Sequence, residues 1–165
     1  MIDDNMDINE QAVNEVNAQS IKMTQSAAQQ VEADRIEMQQ SAAQSIDADV
    51  IEMRQSAAQI VQADTLRMQQ SLALGARADT LQAEQSMLGV LQTHEATLAD
   101  SALLALVGDR VQAANVNTVF LIGREIQGDV KTMLDTRGAV IFGLAAGSVL
   151  GFFSLLSAMI RRSRR

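Results

Sequence analysis

The sequence predicts an all-α protein, in which parallel helices form a long right-handed coiled coil with a 15-residue repeat, followed by a C-terminal transmembrane helix. Three observations lead to this fold class. The 165 residues include no Pro, the residue that breaks helices most strongly. Residues 1–119 contain no aromatic side chain, from which compact cores draw much of their buried area. Finally, a repeat of fifteen residues runs from residue 21 to residue 95. A rod is therefore favoured over a globule.

The repeat is most regular where Ala, Gln, Met and Ile dominate. Its five copies, from residues 21, 36, 51, 66 and 81, read IKMTQSAAQQVEADR, IEMQQSAAQSIDADV, IEMRQSAAQIVQADT, LRMQQSLALGARADT and LQAEQSMLGVLQTHE. A weaker copy begins at Met6. If fifteen residues make four helical turns, each turn holds about 3.75 residues, more than the roughly 3.6 of a straight helix. Helices that follow such a stripe are expected to supercoil with a right hand.

A helical wheel of about 96° per residue sorts the repeat into two apolar flanks with a polar strip between them. The predicted oligomer flanks comprise Ile21, Met23, Ala28, Val31, Ile36, Met38, Ala43, Ile46, Ile51, Met53, Ala58, Val61, Leu66 and Met68. The strip comprises Thr24, Arg35, Gln39, Arg54, Thr65, Gln69 and Thr80. Two flanks favour an open α-helical barrel of more than four chains, with the strip facing a lumen. A three- or four-helix bundle is the alternative, followed by an antiparallel or hairpin arrangement.

The predicted organisation has five parts. An acidic helix start covers residues 1–20, the repeat coiled coil 21–95, a linker helix 96–138, a transmembrane helix 139–160 and a basic tail 161–165. The run 139–160 is uncharged and long enough to cross a bilayer. Gly143, Gly147 and Gly151 recur every fourth residue, a spacing that lets membrane helices pack closely. The expected membrane boundaries are Arg137, Arg161, Arg162, Arg164 and Arg165. A buried helix of a soluble protein is the alternative.

Catalytic and metal-binding residues are not expected. The chain has no Cys and a single histidine, His94, so one chain cannot build a thiolate or multi-histidine site. The repeated Asp and Glu residues are spaced as a solvated helix face. With a net charge of −7, the chain does not offer a basic surface for nucleic acid along its length. The sequence therefore predicts a protein that is not an enzyme and needs no cofactor.

The repeats Ile36-Glu37-Met38-Gln39-Gln40 and Ile51-Glu52-Met53-Arg54-Gln55, together with a right-handed period and a membrane segment, resemble the DNA pilot protein of small single-stranded DNA phages. The resemblance covers roughly residues 20–95. It implies a ring of long helices that conducts a genome through the host envelope. The family's repeat has eleven residues and its membrane segment precedes the tube, so no functional residue is carried over.

Three functional hypotheses follow from these patterns. The first is a membrane-anchored helical tube that acts as a conduit, with nucleic acid passing through a lumen of few charges. The second is a structural stalk or tether that holds partners off a membrane without transport. The third is a phage lysis or membrane-perturbing protein. The expected partners are further copies of the chain in a parallel homo-oligomer, and a lipid bilayer. The expected location is a membrane, with one pass near the C-terminus, and association with a virion.

Overall fold

A computed structural model describes residues 5–132 of the chain, and every element within them is a β-strand. The eight strands are β1 Asn5–Asn9, β2 Ala12–Thr24, β3 Ala27–Gln39, β4 Ala42–Arg54, β5 Ala57–Gln69, β6 Leu72–Glu84, β7 Met87–Ala99 and β8 Ala102–Thr132. Each strand pairs in parallel with the next one along the chain, so the sheet order is the sequence order. The predicted α-helical coiled coil is therefore wrong for these residues.

The repeat of fifteen is the length of one coil of a β-solenoid. Ile21 pairs with Ile36, Ile36 with Ile51 and Ile51 with Leu66, and the same offset of fifteen holds through all the strand pairs. Adjacent coils are hydrogen-bonded neighbours and lie about 4.8 Å apart along the axis. The long strand β8 continues into a further coil, since the Asn117 amide donates to the Ser101 carbonyl at 3.1 Å.

Within each coil, the pattern of inward and outward side chains recurs every five residues. In the coil from Ser41 to Gln55 the side chains that point inward are Ser41, Ala43, Ile46, Ala48, Ile51 and Met53. Two inward residues, separated by one outward residue, form each of three sides, and two successive outward residues separate one side from the next. Because successive side chains of a strand point to opposite faces, each side is a short β-segment and each outward pair is a corner. Fifteen residues thus divide into three sides, not four helical turns.

The core consists of ladders in which equivalent residues of successive coils stack on one another. Three of these ladders are Ile21, Ile36, Ile51, Leu66, Leu81, Ala96 and Val111; Met23, Met38, Met53, Met68, Ala83 and Leu98; and Val16, Val31, Ile46, Val61, Ala76, Leu91 and Leu106. Most of these side chains are almost completely buried, and full burial of an Ile, Leu or Met contributes about 1.5–3 kcal/mol. A coil this small is filled by Ile, Met and Ala. The lack of aromatic residues therefore reflects the narrow interior of the coil and not the absence of a packed core.

All fourteen predicted oligomer flank residues lie in this interior. Ile21, Ile36, Ile51 and Leu66 are 0% exposed, and Met23, Met38, Met53 and Met68 are at most 2% exposed. Val31, Ile46 and Val61 are also buried, as are the smaller Ala28, Ala43 and Ala58. They contact one another within one chain, because the inward period is set by strand alternation and not by a helical turn. The predicted lumen residues are on the outer surface, Arg35, Gln39, Arg54 and Gln69 exposed and Thr24, Thr65 and Thr80 half-buried.

The predicted domain organisation changes with the fold. The coils continue through residues 20 and 95, and the predicted linker helix is strand from Ala102 to Thr132. Among residues 5–132 no helix has the length and hydropathy that a membrane crossing requires. The predicted localisation, a membrane with one helical pass near the C-terminus, is therefore wrong for the described residues, which contain strands and no helix. The predicted span 139–160, its three glycines and the arginines at its boundaries lie outside the described residues.

Candidate interaction surface

The Gln-Ser pair of each repeat forms one corner of the coil. The glutamine of each pair has a positive φ, for example 51° at Gln40 and Gln55, where L-residues are uncommon. The serine that follows turns its side chain inward, and Ser41, Ser56 and Ser71 are at most 5% exposed. This combination turns the chain from one side of the coil to the next without Gly or Pro, and it recurs at every coil from Gln25 to Gln85.

The inward serines form a hydrogen-bonded ladder that runs through the solenoid. The Ser56 hydroxyl donates to the Arg54 carbonyl at 2.8 Å and accepts the backbone amide of Ser41 at 3.3 Å. The amide of Ser56 in turn donates to the hydroxyl of Ser71 at 3.3 Å. Each hydroxyl therefore supplies an acceptor for the serine amide of the preceding coil and a second donor to a carbonyl of its own coil, since the Arg54 carbonyl also accepts the Gln40 amide at 3.0 Å.

Replacing Ser56 by Ala is expected to lower the free energy of unfolding by about 1–3 kcal/mol, because the buried amide of Ser41 loses its acceptor. Chemical denaturation followed by far-UV circular dichroism would measure the change. Ser45→Ala is the matched control, since Ser45 is only half-buried and lies outside the ladder. Equal stability losses in the two variants would contradict a structural role for the serine ladder.

A second ladder lies directly outside the first. The Gln40 side-chain amide donates to the Gln55 amide oxygen at 3.3 Å, and Gln55 donates to Gln70 at 3.2 Å. The same contact links Gln25 to Gln40 and Gln70 to Gln85. Beyond Gln85 the ladder residue becomes Asp100, whose carboxylate accepts the side-chain amide of Asn115 at 2.7 Å. These side chains form a continuous polar edge along the solenoid.

One side of the solenoid, which we call the serine face, runs in a single coil from Gln40 to Gln44 and recurs in the others. Its outward side chains are the glutamine ladder, the ladder Ala12, Ala27, Ala42, Ala57, Leu72, Met87 and Ala102, and the corner residues Gln29, Gln44, Gln59, Leu74, Gly89 and Leu104. A groove of about 720 Å³ follows this face from Glu10 to Met87. From residue 25 to residue 99 the serine face carries no charged side chain.

The other two sides carry the charge. Asp34, Asp49, Asp64 and Asp79 stack at one corner in successive coils, and the Oδ1 atom of Asp79 lies 3.1 Å from Nδ1 of His94 in the next coil. Ion pairs also join equivalent positions of adjacent coils, as between Arg67 Nη1 and Glu52 Oε1 at 3.2 Å. These groups are solvent-accessible, and such pairs contribute little to stability. Within residues 5–132 no three His, Cys, Asp or Glu side chains converge to hold a metal ion.

Large apolar side chains interrupt the polar pattern toward the C-terminal half of the serine face. Met87 is 60% exposed, Leu74 57% and Leu104 54%. Leu72 is also exposed on this face, and Ile60 and Val90 project from the adjoining corner. Isolated exposed apolar residues are ordinary, whereas a contiguous set on one face is typical of an interaction site. The serine face is therefore the best candidate for a functional surface in the described part of the chain.

Sequence reasoning missed this surface, although two signals for it were present. Leu72 and Met87 occupy a repeat position that is Ala in the three preceding copies. In addition, none of the five Gln-Ser-x-x-x segments between residues 25 and 89 contains a charged residue. Comparison with known proteins adds no assignment: no protein-family model, curated protein or solved structure matches the chain.

Proposed function

We propose that this chain is a structural spacer, a stiff β-solenoid that holds what is joined to its two ends at a set separation and has no catalytic activity of its own. The observation that supports this is the unbroken offset of fifteen from β1 to β8. No coil between Ala12 and Ala99 carries an inserted loop. Clefts that bind substrates are usually built from such loops, and here all coils present the same short turns.

Stiffness follows from the direction of the bonds. In a solenoid the backbone hydrogen bonds run from coil to coil, so bending the axis stretches them on one side. The serine ladder and the glutamine ladder add side-chain hydrogen bonds in the same direction. At about 4.8 Å per coil the described residues span about 40 Å. A rod of that length and regularity suits a spacer.

A spacer is favoured over a conduit because the interior of the solenoid is filled with side chains. A conduit requires a lumen, and between Ile8 and Val116 the buried side chains are packed Ile, Val, Leu, Met, Ala, Ser and Thr. The residues assigned to a lumen are on the outer surface. The membrane-perturbing hypothesis depended on Gly143, Gly147 and Gly151, which lie outside the described residues. The stalk hypothesis is the one that needs only a regular column of hydrogen bonds.

The spacer proposal predicts that length scales with the number of coils. Lys22 and Gln112 occupy the same position six coils apart, so nitroxide labels on Lys22→Cys and Gln112→Cys should lie about 29 Å apart. Duplicating residues 86–100 adds one coil and should lengthen this distance by about 5 Å. Pulsed electron double resonance, with labelled protein diluted into unlabelled protein, would measure both distances. The absence of native Cys makes the labelling selective.

The control uses labels at Lys22 and Gln82, which both precede the duplicated segment. Their separation of four coils, about 19 Å, should not change. In an α-helix Lys22 and Gln112 would be about 135 Å apart, and fifteen added residues would contribute about 22 Å. A broad distance distribution, or a Lys22–Gln112 distance that the duplication leaves unchanged, would remove the spacer proposal.

A further inference from the structure

We propose that the serine face is an interface between two copies of this chain, which pack face to face with their solenoid axes antiparallel. The first reason is the distribution of charge. Between residues 25 and 99 all charged side chains lie on the other two sides, although the protein has a net charge of −7. A surface without charge can be removed from water at low cost, whereas each buried and unpaired charge costs several kcal/mol. This proposal does not depend on the spacer function.

The second reason is the uneven side-chain size along the face. The central ladder is small from Ala12 to Ala57, bulky at Leu72 and Met87, and small again at Ala102. A two-fold axis perpendicular to the solenoid axes, between Ala57 and Leu72, places Ala57 opposite Leu72 and Ala42 opposite Met87. At these two pairs a large side chain fills the space above a small one, and Ala27 lies opposite Ala102. A parallel pair would instead place Met87 against Met87 and leave a gap between the alanines.

The edge of the face follows the same two-fold relation. Each glutamine ladder then lies beside the other, with Gln55 opposite Gln70 and Gln40 opposite Gln85. The same relation places Asp100 opposite Gln25 and Glu10 opposite Asn115, so each carboxylate meets an amide that can donate to it. No carboxylate of this ladder meets another.

The face is large enough for a stable dimer. Seven coils, from the one containing Ala12 to the one containing Ala102, give a length of about 34 Å, and the five residues of the face give a width of about 16 Å. Each copy would bury about 550 Å², and the pair about 1,100 Å². Specific interfaces generally exceed about 1,000 Å² in total. An antiparallel pair of solenoids would then take the place of the predicted parallel assembly of more than four helices.

Sedimentation equilibrium of the full-length protein tests the interface. The unmodified chain should have twice the mass of one chain, and Met87→Glu should reduce this to one, because the new carboxylate would be buried without a partner. The matched control is Val107→Glu, since Val107 is a similarly exposed apolar residue, 44% exposed, on another side. It should remain dimeric. A monomeric unmodified chain, or equal masses for the Met87→Glu and unmodified proteins, would overturn the proposal.

Crosslinking tests the orientation and does not depend on the charged variants. Ala42→Cys and Met87→Cys are prepared separately in the otherwise cysteine-free chain and treated with a short bismaleimide. An antiparallel pair should give crosslinked dimers when the two variants are mixed, and at least ten times less product with either variant alone. Efficient crosslinking of each variant alone would show a parallel pair and overturn the arrangement, as would the absence of any crosslinked dimer.

Discussion

Ile51→Asp is expected to abolish cooperative folding of the solenoid. Ile51 is 0% exposed and stacks between Ile36 and Leu66 in the middle of a core ladder. The carboxylate would have neither an ion-pair partner nor water, and an uncompensated buried charge costs about 3–5 kcal/mol or more. Small proteins unfold with a total free energy of about 5–15 kcal/mol. Far-UV circular dichroism and chemical denaturation of the full-length variant would show the loss.

The position of the change along the chain strengthens this effect. In a solenoid each coil contacts only its neighbours, so a coil that cannot pack separates the stack into two shorter pieces. The control is Gln69→Asp, which adds the same charge at an exposed position and should change stability by no more than about 0.5 kcal/mol. The loss of stability in Ile51→Val should lie between the losses in Gln69→Asp and Ile51→Asp, at about 0.5–1.5 kcal/mol. A cooperative transition for Ile51→Asp equal to that of Gln69→Asp would contradict the assignment of Ile51 to the interior.

The repeat itself was read correctly from the sequence, but its geometry was not. A repeat of fifteen is compatible with four helical turns and with three five-residue sides, and both schemes place Ile36, Met38, Ala43 and Ile46 among the buried residues. What separates them is the spacing of two inside each side, as in Ile36 and Met38 or Ser41 and Ala43, which strand alternation requires. Val and Ile at the sixth and eleventh positions counted from the serine also favour strands.

The local composition favoured the wrong alternative. Ala, Gln, Glu and Met are among the strongest helix formers, and the first Gly occurs at Gly75. Turns between strands normally require Gly, Pro, Asn or Asp, whereas here the corner is made by Gln at a φ near 50°. This conformation costs about 1–2 kcal/mol for an L-residue. The side-chain amide ladder offsets that cost only when coils stack, so no single repeat reveals it.

The helical interpretation could not identify the candidate surface, because it did not distinguish the inward from the outward positions of the coil. On a helical wheel Leu72 joins an apolar flank, but in the coil it lies outside, next to Ser71 and above Ala57. Its exposure, and that of Leu74 and Met87, became visible only once the inward and outward positions were known. The absence of charge from the Gln-Ser segments could have been found in the sequence, but its meaning depends on those segments forming one side.

Deleting the single residue Glu52 is expected to destabilise the protein more than deleting the fifteen residues 51–65. The larger deletion joins Val50 to Leu66, so Leu66 stacks on Ile36 and Met68 on Met38, and every ladder continues with one coil fewer. At about 0.05–0.15 kcal/mol per residue, the loss of one coil should cost about 1–2 kcal/mol.

Removing Glu52 alone has a different consequence, because it makes Ile51 and Met53 adjacent. Neighbouring residues of a strand face opposite ways, so one of these two side chains must leave the core. Exposing it forfeits about 1.5–3 kcal/mol of burial, and the coil also loses hydrogen bonds to both neighbours. Denaturation midpoints of the two deletion variants, measured in the otherwise full-length chain, would test this ranking. Because any structure built on this period stays in register when one whole repeat is removed, the comparison tests the repeat length, and a less stable 51–65 deletion would count against a coil of fifteen. A 51–65 deletion that is more stable than the Glu52 deletion would show that the structure tolerates the loss of a whole 15-residue unit but not the loss of part of one.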